Sequence, residues 1–220
     1  MKKLLLISAL ITVIPGISFA RTAVSSNQSH KAQASKTNEN QTAKMQVKQA
    51  DKKQVMAKVQ KYFNDLKTFE AMFVQVDRYG NVESGYLWIK RPNRVKMQYP
   101  KRVVLVNDNR VINYDKELKE KSETSVYSSP LSFFLDKKVN FQEKLEVIYA
   151  SESDDAIFAK FCKKDEDAEG AVLLVFSKNP MELRKWIIFS DKNDESVGIE
   201  VSLFNWKTGE NISDNIFDKY

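Results

Sequence analysis

Residues 85–100 read GYLWIKRPNRVKMQYP. In an extended chain successive side chains point to opposite sides, so Leu87 and Ile89 share one face with Arg91, while Trp88 and Lys90 share the other. Pro92 stops the first strand and Asn93 suits the turn that follows it. Val95, Met97 and Tyr99 then resume the same alternation. The stretch therefore predicts two antiparallel strands joined at residues 91–93, with an apolar face that runs out at an arginine.

The same period of two extends over most of the chain. Strands are expected near residues 69–78, 82–91, 93–99, 102–107, 110–115, 117–124, 144–149, 156–163, 171–177, 183–190 and 196–206. Turn residues separate many of them, among them Tyr79-Gly80-Asn81, Asp108-Asn109, Glu169-Gly170, Asn179-Pro180 and the run 191–194. Connections this short build antiparallel meanders, because parallel neighbours need long crossovers. Val197, Ile199, Val201 and Leu203 alternate with Glu200 and Ser202, as in a sheet that is wet on one side.

Two segments follow a helical period instead. Asp51 and Gln54 have the spacing of a capping box, and Val55, Val59, Tyr62, Phe63 and Leu66 then fall on one helical face. In SSPLSFFLDKK, residues 128–138, Pro130 suits a first helical turn and Leu131, Phe134 and Leu135 follow at helical spacing. That second piece is too short to be stable alone and must lean on the rest of the fold. The simplest geometry is mainly β with short helices: a single long curved antiparallel sheet of about eleven strands, concave and apolar inside, with the first helix and this one closing its open side.

Charge and composition narrow the function. The formal net charge is +6, but seven of the 35 basic residues and one of the 29 acidic ones lie in residues 1–50, leaving 28 of each in residues 51–220. The folded part is neutral overall, so a basic groove and a nucleic-acid partner are not expected. His30, the one histidine, precedes the domain, and Cys162 is the one cysteine. A Ser/His/Asp triad, a Cys/His pair and a histidine-rich metal site are excluded there, and no cofactor is called for. Cys162 reads as a small packed apolar residue.

The chain opens with Lys2 and Lys3, an apolar run of 11 residues at 4–14, and Ser18-x-Ala20. That run is shorter than the roughly 20 residues a membrane span needs, so residues 1–20 are expected to be a secretory signal cleaved after Ala20. Residues 21–50 hold no aromatic, Ile or Leu and are rich in Ser, Thr, Asn, Gln and Lys. Such a segment cannot offset its ordering entropy by burial and is expected to be a disordered tether, with residues 51–220 forming the domain. No stable membrane insertion is anticipated, and the protein is expected to be a monomer of the periplasm.

Arg91 has two readings. A guanidinium at a strand end can snorkel to water, or it can latch a cover by donating to the exposed carbonyls of a short lid helix.

Gly85-Tyr86-Leu87-Trp88-Ile89-Lys90-Arg91-Pro92-Asn93 resembles the Gly-x-Leu-Trp-x-Lys-Arg-Pro-Asn signature of the periplasmic outer-membrane lipoprotein carriers, the LolA family. Phe73-Val74-Gln75 is similar to that family's Phe-x-Gln strand, Tyr99-Pro100 to its Tyr-x-x-Pro region, and Ser129-Pro130 to the start of its lid helix. Asp108-Asn109 and Ile112 stand where the family often has Asp-Gly and a Trp, and NISDNIFDKY ends the chain without the usual Pro-Gly continuation. The resemblance implies a mainly β fold with an α lid, a single unclosed antiparallel half-barrel of about eleven strands covered by short helices, which shields the acyl chains of triacylated lipoproteins between two membranes. It implies loading by an ATP-driven transporter of the inner membrane and delivery to an outer-membrane acceptor. It also implies that Arg91 holds the lid closed, with Leu87, Ile89, Val95, Met97, Tyr99, Leu131, Phe134 and Leu135 lining the acyl-chain cavity. For each of those apolar residues plain core packing is the competing reading.

Two other functions fit parts of the sequence. A lipid-sensing or lipid-binding regulatory module could use the same half-barrel. An enzyme could use the acidic clusters at 165–169 and 191–195 for acid/base work. Both clusters fall on expected turns and neither completes a calcium loop, so solvated hairpins explain them better and no enzymatic activity is expected.

Overall fold

A computed structural model describes residues 52–128, 132–164, 170–193 and 198–220. The signal at 1–20, the tether at 21–50, Asp51 of the capping box, Ser129, Pro130 and Leu131, the 165–169 cluster and Val197 lie outside the described residues.

The first helix, α1, spans Lys52–Asp65, and its spacing buries Val55, Met56, Val59 and Phe63 along one stripe. Eleven strands follow: β1 (Thr68–Val76), β2 (Val82–Lys90), β3 (Arg94–Gln98), β4 (Arg102–Asn107), β5 (Arg110–Asp115), β6 (Glu120–Ser125), β7 (Leu145–Glu152), β8 (Ala156–Lys163), β9 (Ala171–Lys178), β10 (Met181–Phe189) and β11 (Gly198–Thr208). They form one antiparallel sheet in the order β6-β5-β4-β3-β2-β1-β11-β10-β9-β8-β7, so β6 and β7 are its edges and the barrel is not closed. The number of strands matches the alternation in the sequence. Boundaries move where turn chemistry intervenes: β3 starts at Arg94 because Asn93 adopts φ 61°. Similarly, β6 starts only at Glu120, because Asp115 Oδ1 accepts the N–H groups of Glu117 and Leu118 and Lys119 adopts φ 58°.

The lid departs from the expected helix. Val126–Ser128 and Ser132–Leu135 are 3-10 turns, and a four-residue helix, α2, spans Phe141–Lys144 before β7. A segment of this length gains too few α-helical hydrogen bonds to offset nucleation and settles in tighter turns. It is fastened from α1 by amide side chains. Val139 N–H donates to Asn64 Oδ1 at 2.8 Å, Asn64 Nδ2 returns a bond to Val139 O at 3.2 Å, and Phe141 N–H donates to Gln60 Oε1 at 2.9 Å.

One large core fills the concave side. Phe63 meets Phe141 and Phe176 edge-on, at 6.3 and 6.1 Å between ring centroids, so α1, α2 and β9 share a single aromatic contact region. Gly85 faces inward in β2, where a Cβ would lie 2.1 Å from Gln98 O and 2.9 Å from the Phe73 ring. A side chain there is excluded by close approach.

The last residues of the chain cross the opposite, convex face. Lys90 Nζ donates to Ile212 O at 3.0 Å, and Asp214 pairs with Lys90 at 2.6 Å and Arg94 at 2.8 Å. Lys96, buried on that face, donates to the carbonyls of Ile216 (3.1 Å) and Lys219 (2.8 Å), and Tyr220 stacks on Tyr114 at 4.9 Å. The terminal residues that depart from the carrier pattern thus form a strap over β2–β5.

Gly85→Ala is expected to lower stability by about 3 kcal/mol in a urea titration, because the added methyl meets backbone as well as a ring. An unchanged midpoint would show that β2 and β3 can separate at this point.

Candidate functional site

The concave face begins at the turn between β2 and β3. Arg91 N–H donates to Lys67 O at 2.8 Å, which closes the end of β2 against the start of β1. Its side chain reaches in two directions. One terminal nitrogen donates to Leu66 O at 3.2 Å and the other donates to Asp136 O, just past the 3-10 turn Ser132–Leu135. Asn93 N–H adds a bond to Leu135 O at 3.1 Å, so two consecutive lid carbonyls are held from one strand turn. Nε of Arg91 is buried with no hydrogen-bond partner among the described residues. Burial pulls the guanidinium's pKa down and the nearby Asp136 carboxylate pulls it back up, but a group that titrates so high stays charged throughout the physiological range.

Of the apolar residues singled out in the sequence, Leu87, Ile89, Val95, Met97, Tyr99 and Leu135 are all buried in the one concave core. Phe134 lies in the 3-10 turn with Leu135, and its side chain, like all of Leu131, lies outside the described residues. Leu87 pairs with Met97 and Ile89 with Val95 across β2 and β3. Alternation therefore brings four of them onto one small patch of sheet, and Leu135 belongs to the same buried cluster. Here the hollow is packed rather than empty.

Tyr99 is the polar exception. Its ring meets Phe73 edge-on at 4.9 Å in the space left by Gly85, and its hydroxyl donates to Gln75 Oε1 at 2.8 Å. The Arg102 guanidinium covers the other side of the ring at 3.8 Å and pairs with Glu83 at 2.6 Å. Burial pushes the phenol up to about 12, so it remains a neutral donor.

Sequence reasoning did not find Leu66 and Asp136 as acceptors, because both act through backbone carbonyls and no side-chain pattern reports them. Gln60, Asn64 and Gln75 carried a faint signal as amides near otherwise apolar positions. Cys162 is buried and its thiol is pushed up by burial, as a packed apolar residue would be. Asp191 Oδ1 accepts Asn193 N–H at 2.8 Å within a turn. No group of three metal-ligating side chains occurs among the described residues, and none of their helices is long and apolar enough to cross a membrane.

An open antiparallel half-barrel whose apolar concave face is covered by a helix and short turns defines the class of fold. Within that class, the model of the family described as outer membrane lipoprotein carrier protein LolA matches residues 64–219, and the chain belongs to this family of periplasmic, non-enzymatic carriers. An uncharacterized protein of Rickettsia prowazekii (strain Madrid E) is 23% identical over 141 residues, 63% of this chain and 65% of that protein, so the chain spans just under two thirds of that relative. Among solved structures, similarity extends to an uncharacterized conserved protein of Thermus thermophilus (TM-score 0.48, 11% identity, 76% of this chain and 93% of that one). It also extends to a LolA superfamily protein of Nitrosomonas europaea (TM-score 0.43, 9% identity, 74% and 97%). A third similar structure is the MucA/MucB complex of Pseudomonas aeruginosa (TM-score 0.46, 12% identity, 78% and 62%).

Tyr99→Phe is expected to cost about 1–3 kcal/mol in chemical denaturation, because Gln75 then keeps a buried oxygen without its donor. No loss of stability would mean that water reaches Gln75 and the hollow is wetter than its packing indicates.

Proposed function

We propose that the protein receives triacylated lipoproteins from an ATP-driven transporter of the inner membrane, shields their acyl chains in the concave hollow, and yields them to an outer-membrane acceptor. The observation that carries this reading is the grip of Arg91 on Leu66 O and Asp136 O. It fastens a cover of short turns over an apolar face through bonds from one side chain to two main-chain carbonyls. In this reading Leu87, Ile89, Val95, Met97, Tyr99, Leu131, Phe134 and Leu135 contact acyl chain once the lid is displaced, and Arg91 restores the closed state afterwards. Residues 1–20 deliver the chain to the periplasm, residues 21–50 tether the domain, and the carrier works as a monomer.

The energetics suit such a division of labour. Burial of acyl chain is worth about 0.8 kcal/mol per methylene, so three chains hold a lipoprotein in its membrane by tens of kcal/mol. Extraction therefore needs an external driving force. The carrier needs only a surface greasy enough to keep the cargo and a closed state stable enough to help expel it. A guanidinium with one unfilled donor suits that balance, because the closed state is satisfied in part and its rupture exposes a group that water can solvate.

The reading is tested by adding residues 21–220 to spheroplasts that make a triacylated lipoprotein and examining the medium by native mass spectrometry. A one-to-one soluble complex is expected. Arg91→Leu should keep that complex but deliver it to outer-membrane vesicles about tenfold less, because the apolar replacement enlarges the greasy surface and removes the bond that recloses the lid. Delivery at the wild-type level would remove Arg91 from the role of latch. Phospholipid bound in place of lipoprotein would favour a lipid-sensing module with the same half-barrel.

A further inference from the structure

A second recess lies outside the packed hollow. A cleft of about 280 Å³ opens beside the last turn of α1, lined by Tyr62, Leu66, Lys67, Glu182, Thr208 and Gly209 among others. Leu66 is a member of the concave core and Tyr62 packs against it, so the cleft lies where that apolar surface gives way to polar groups. It also shares a wall with the latch, since Leu66 O accepts the Arg91 guanidinium and Lys67 O accepts Arg91 N–H.

The polar groups in the cleft leave one acceptor short of donors. Tyr62 oxygen accepts Leu183 N–H at 3.3 Å, which turns the hydroxyl proton toward Glu182 Oε2 at a long 3.5 Å. Glu182 makes no ion pair among the described residues. Arg184 is nearby, but its guanidinium stacks on Trp206 at 3.5 Å and its Nε donates to Ser177 Oγ at 3.0 Å. Asp65, the other carboxylate lining the cleft, is already paired with Lys61 at 2.5 Å. Burial pushes the Glu182 carboxyl up, opposed only in part by the Tyr62 hydroxyl and the Arg184 charge. A ligand that brings an N–H to this carboxylate would add a closer donor than the long bond from Tyr62.

We infer that the cleft seats the polar junction of the cargo, where acyl chains give way to polypeptide, and that Glu182 accepts a hydrogen bond from the nitrogen of the lipidated cysteine. This rests on the carrier reading. The nitrogen is an amide N–H when the cysteine carries its third acyl chain and an ammonium when it does not; both are donors that a half-buried carboxylate would hold. Chains lying under the lid would thus leave their head group beside Leu66, next to one of the two carbonyls that Arg91 holds.

The test uses residues 21–220 and three probes: palmitate, a triacylated lipopeptide with a short uncharged tail, and its diacylated counterpart with a free amine. Each displaces a fluorescent fatty acid at neutral pH. Glu182→Gln is expected to weaken lipopeptide binding about tenfold while leaving palmitate unchanged, the difference between a charged and a neutral acceptor. A loss confined to the diacylated probe assigns the ammonium, and a loss in both assigns the amide. Wild-type affinity of the variant for both lipopeptides overturns the assignment to the cleft while leaving the carrier reading intact. A loss of palmitate in equal proportion overturns it as well, since the change would then act on the hollow. A wild-type protein that binds none of the three overturns the carrier reading and this inference with it.

Discussion

A sheet whose two edges never meet has an apolar concave face that more strand cannot cover. In this chain β6 and β7 are the two edges of the eleven-stranded sheet, and α1 with the turns at 126–128 and 132–144 keeps that face from water. The helix contributes most of the cover, through Val55, Val59 and Phe63. The turns contribute Leu135, Val139 and Phe141, but each helical run among them is only three or four residues long. They depend on groups outside themselves: Asn64 and Gln60 from the helix at one end, Arg91 and Asn93 from the sheet at the other. The two attachments differ in kind. The amides of α1 form reciprocal neutral bonds to the chain at 139–141, whereas Arg91 spans two separate segments with a charge that burial disfavours.

The convex face shows a related device used for permanence. Lys96 is buried and holds the carbonyls of Ile216 and Lys219, while Lys90 and Arg94 both grip Asp214, and the stacked Tyr114–Tyr220 pair closes the end. On both sides of the sheet a cation from the β2–β3 hairpin fastens an irregular segment through its main-chain carbonyls. The strap has several such attachments and carries Ile212 and Phe217 into buried positions, so no single bond governs it. At residues 135–136 the lid is held from the sheet by one guanidinium and one backbone N–H, while Val126 and Tyr127 are tied separately to Asn109 and Lys163.

Much of this was legible in residue order. Alternation pointed to strands such as β1, where a side-chain period of two survives because one face is buried and the other is wetter, while β4, buried on both faces, and β6, exposed on both, were marked by the turn residues that bound them. It also placed Leu87, Ile89, Val95, Met97 and Tyr99 on one surface with Arg91 at its rim. The lid was less legible, since a stretch with helical spacing but too few residues for an α-helix takes tighter turns whose form depends on what it rests against. The strap was not legible at all: NISDNIFDKY has no period, and only the lysines, arginine and tyrosine of distant strands give it a path.

By itself, then, the amino-acid order determined the strands, the amphipathic helix, the neutral domain without catalytic histidine, and the presence of a charge at the end of an apolar face. Tertiary structure alone decided that the lid forms short turns, that Arg91 meets Leu66 and Asp136, and that Glu182 stands in a cleft beside them. The reason is physical. Alternation and helical spacing are properties of side chains along one segment, whereas an acceptor carbonyl is common to every residue, and only the approach of remote segments determines which of them a guanidinium can reach.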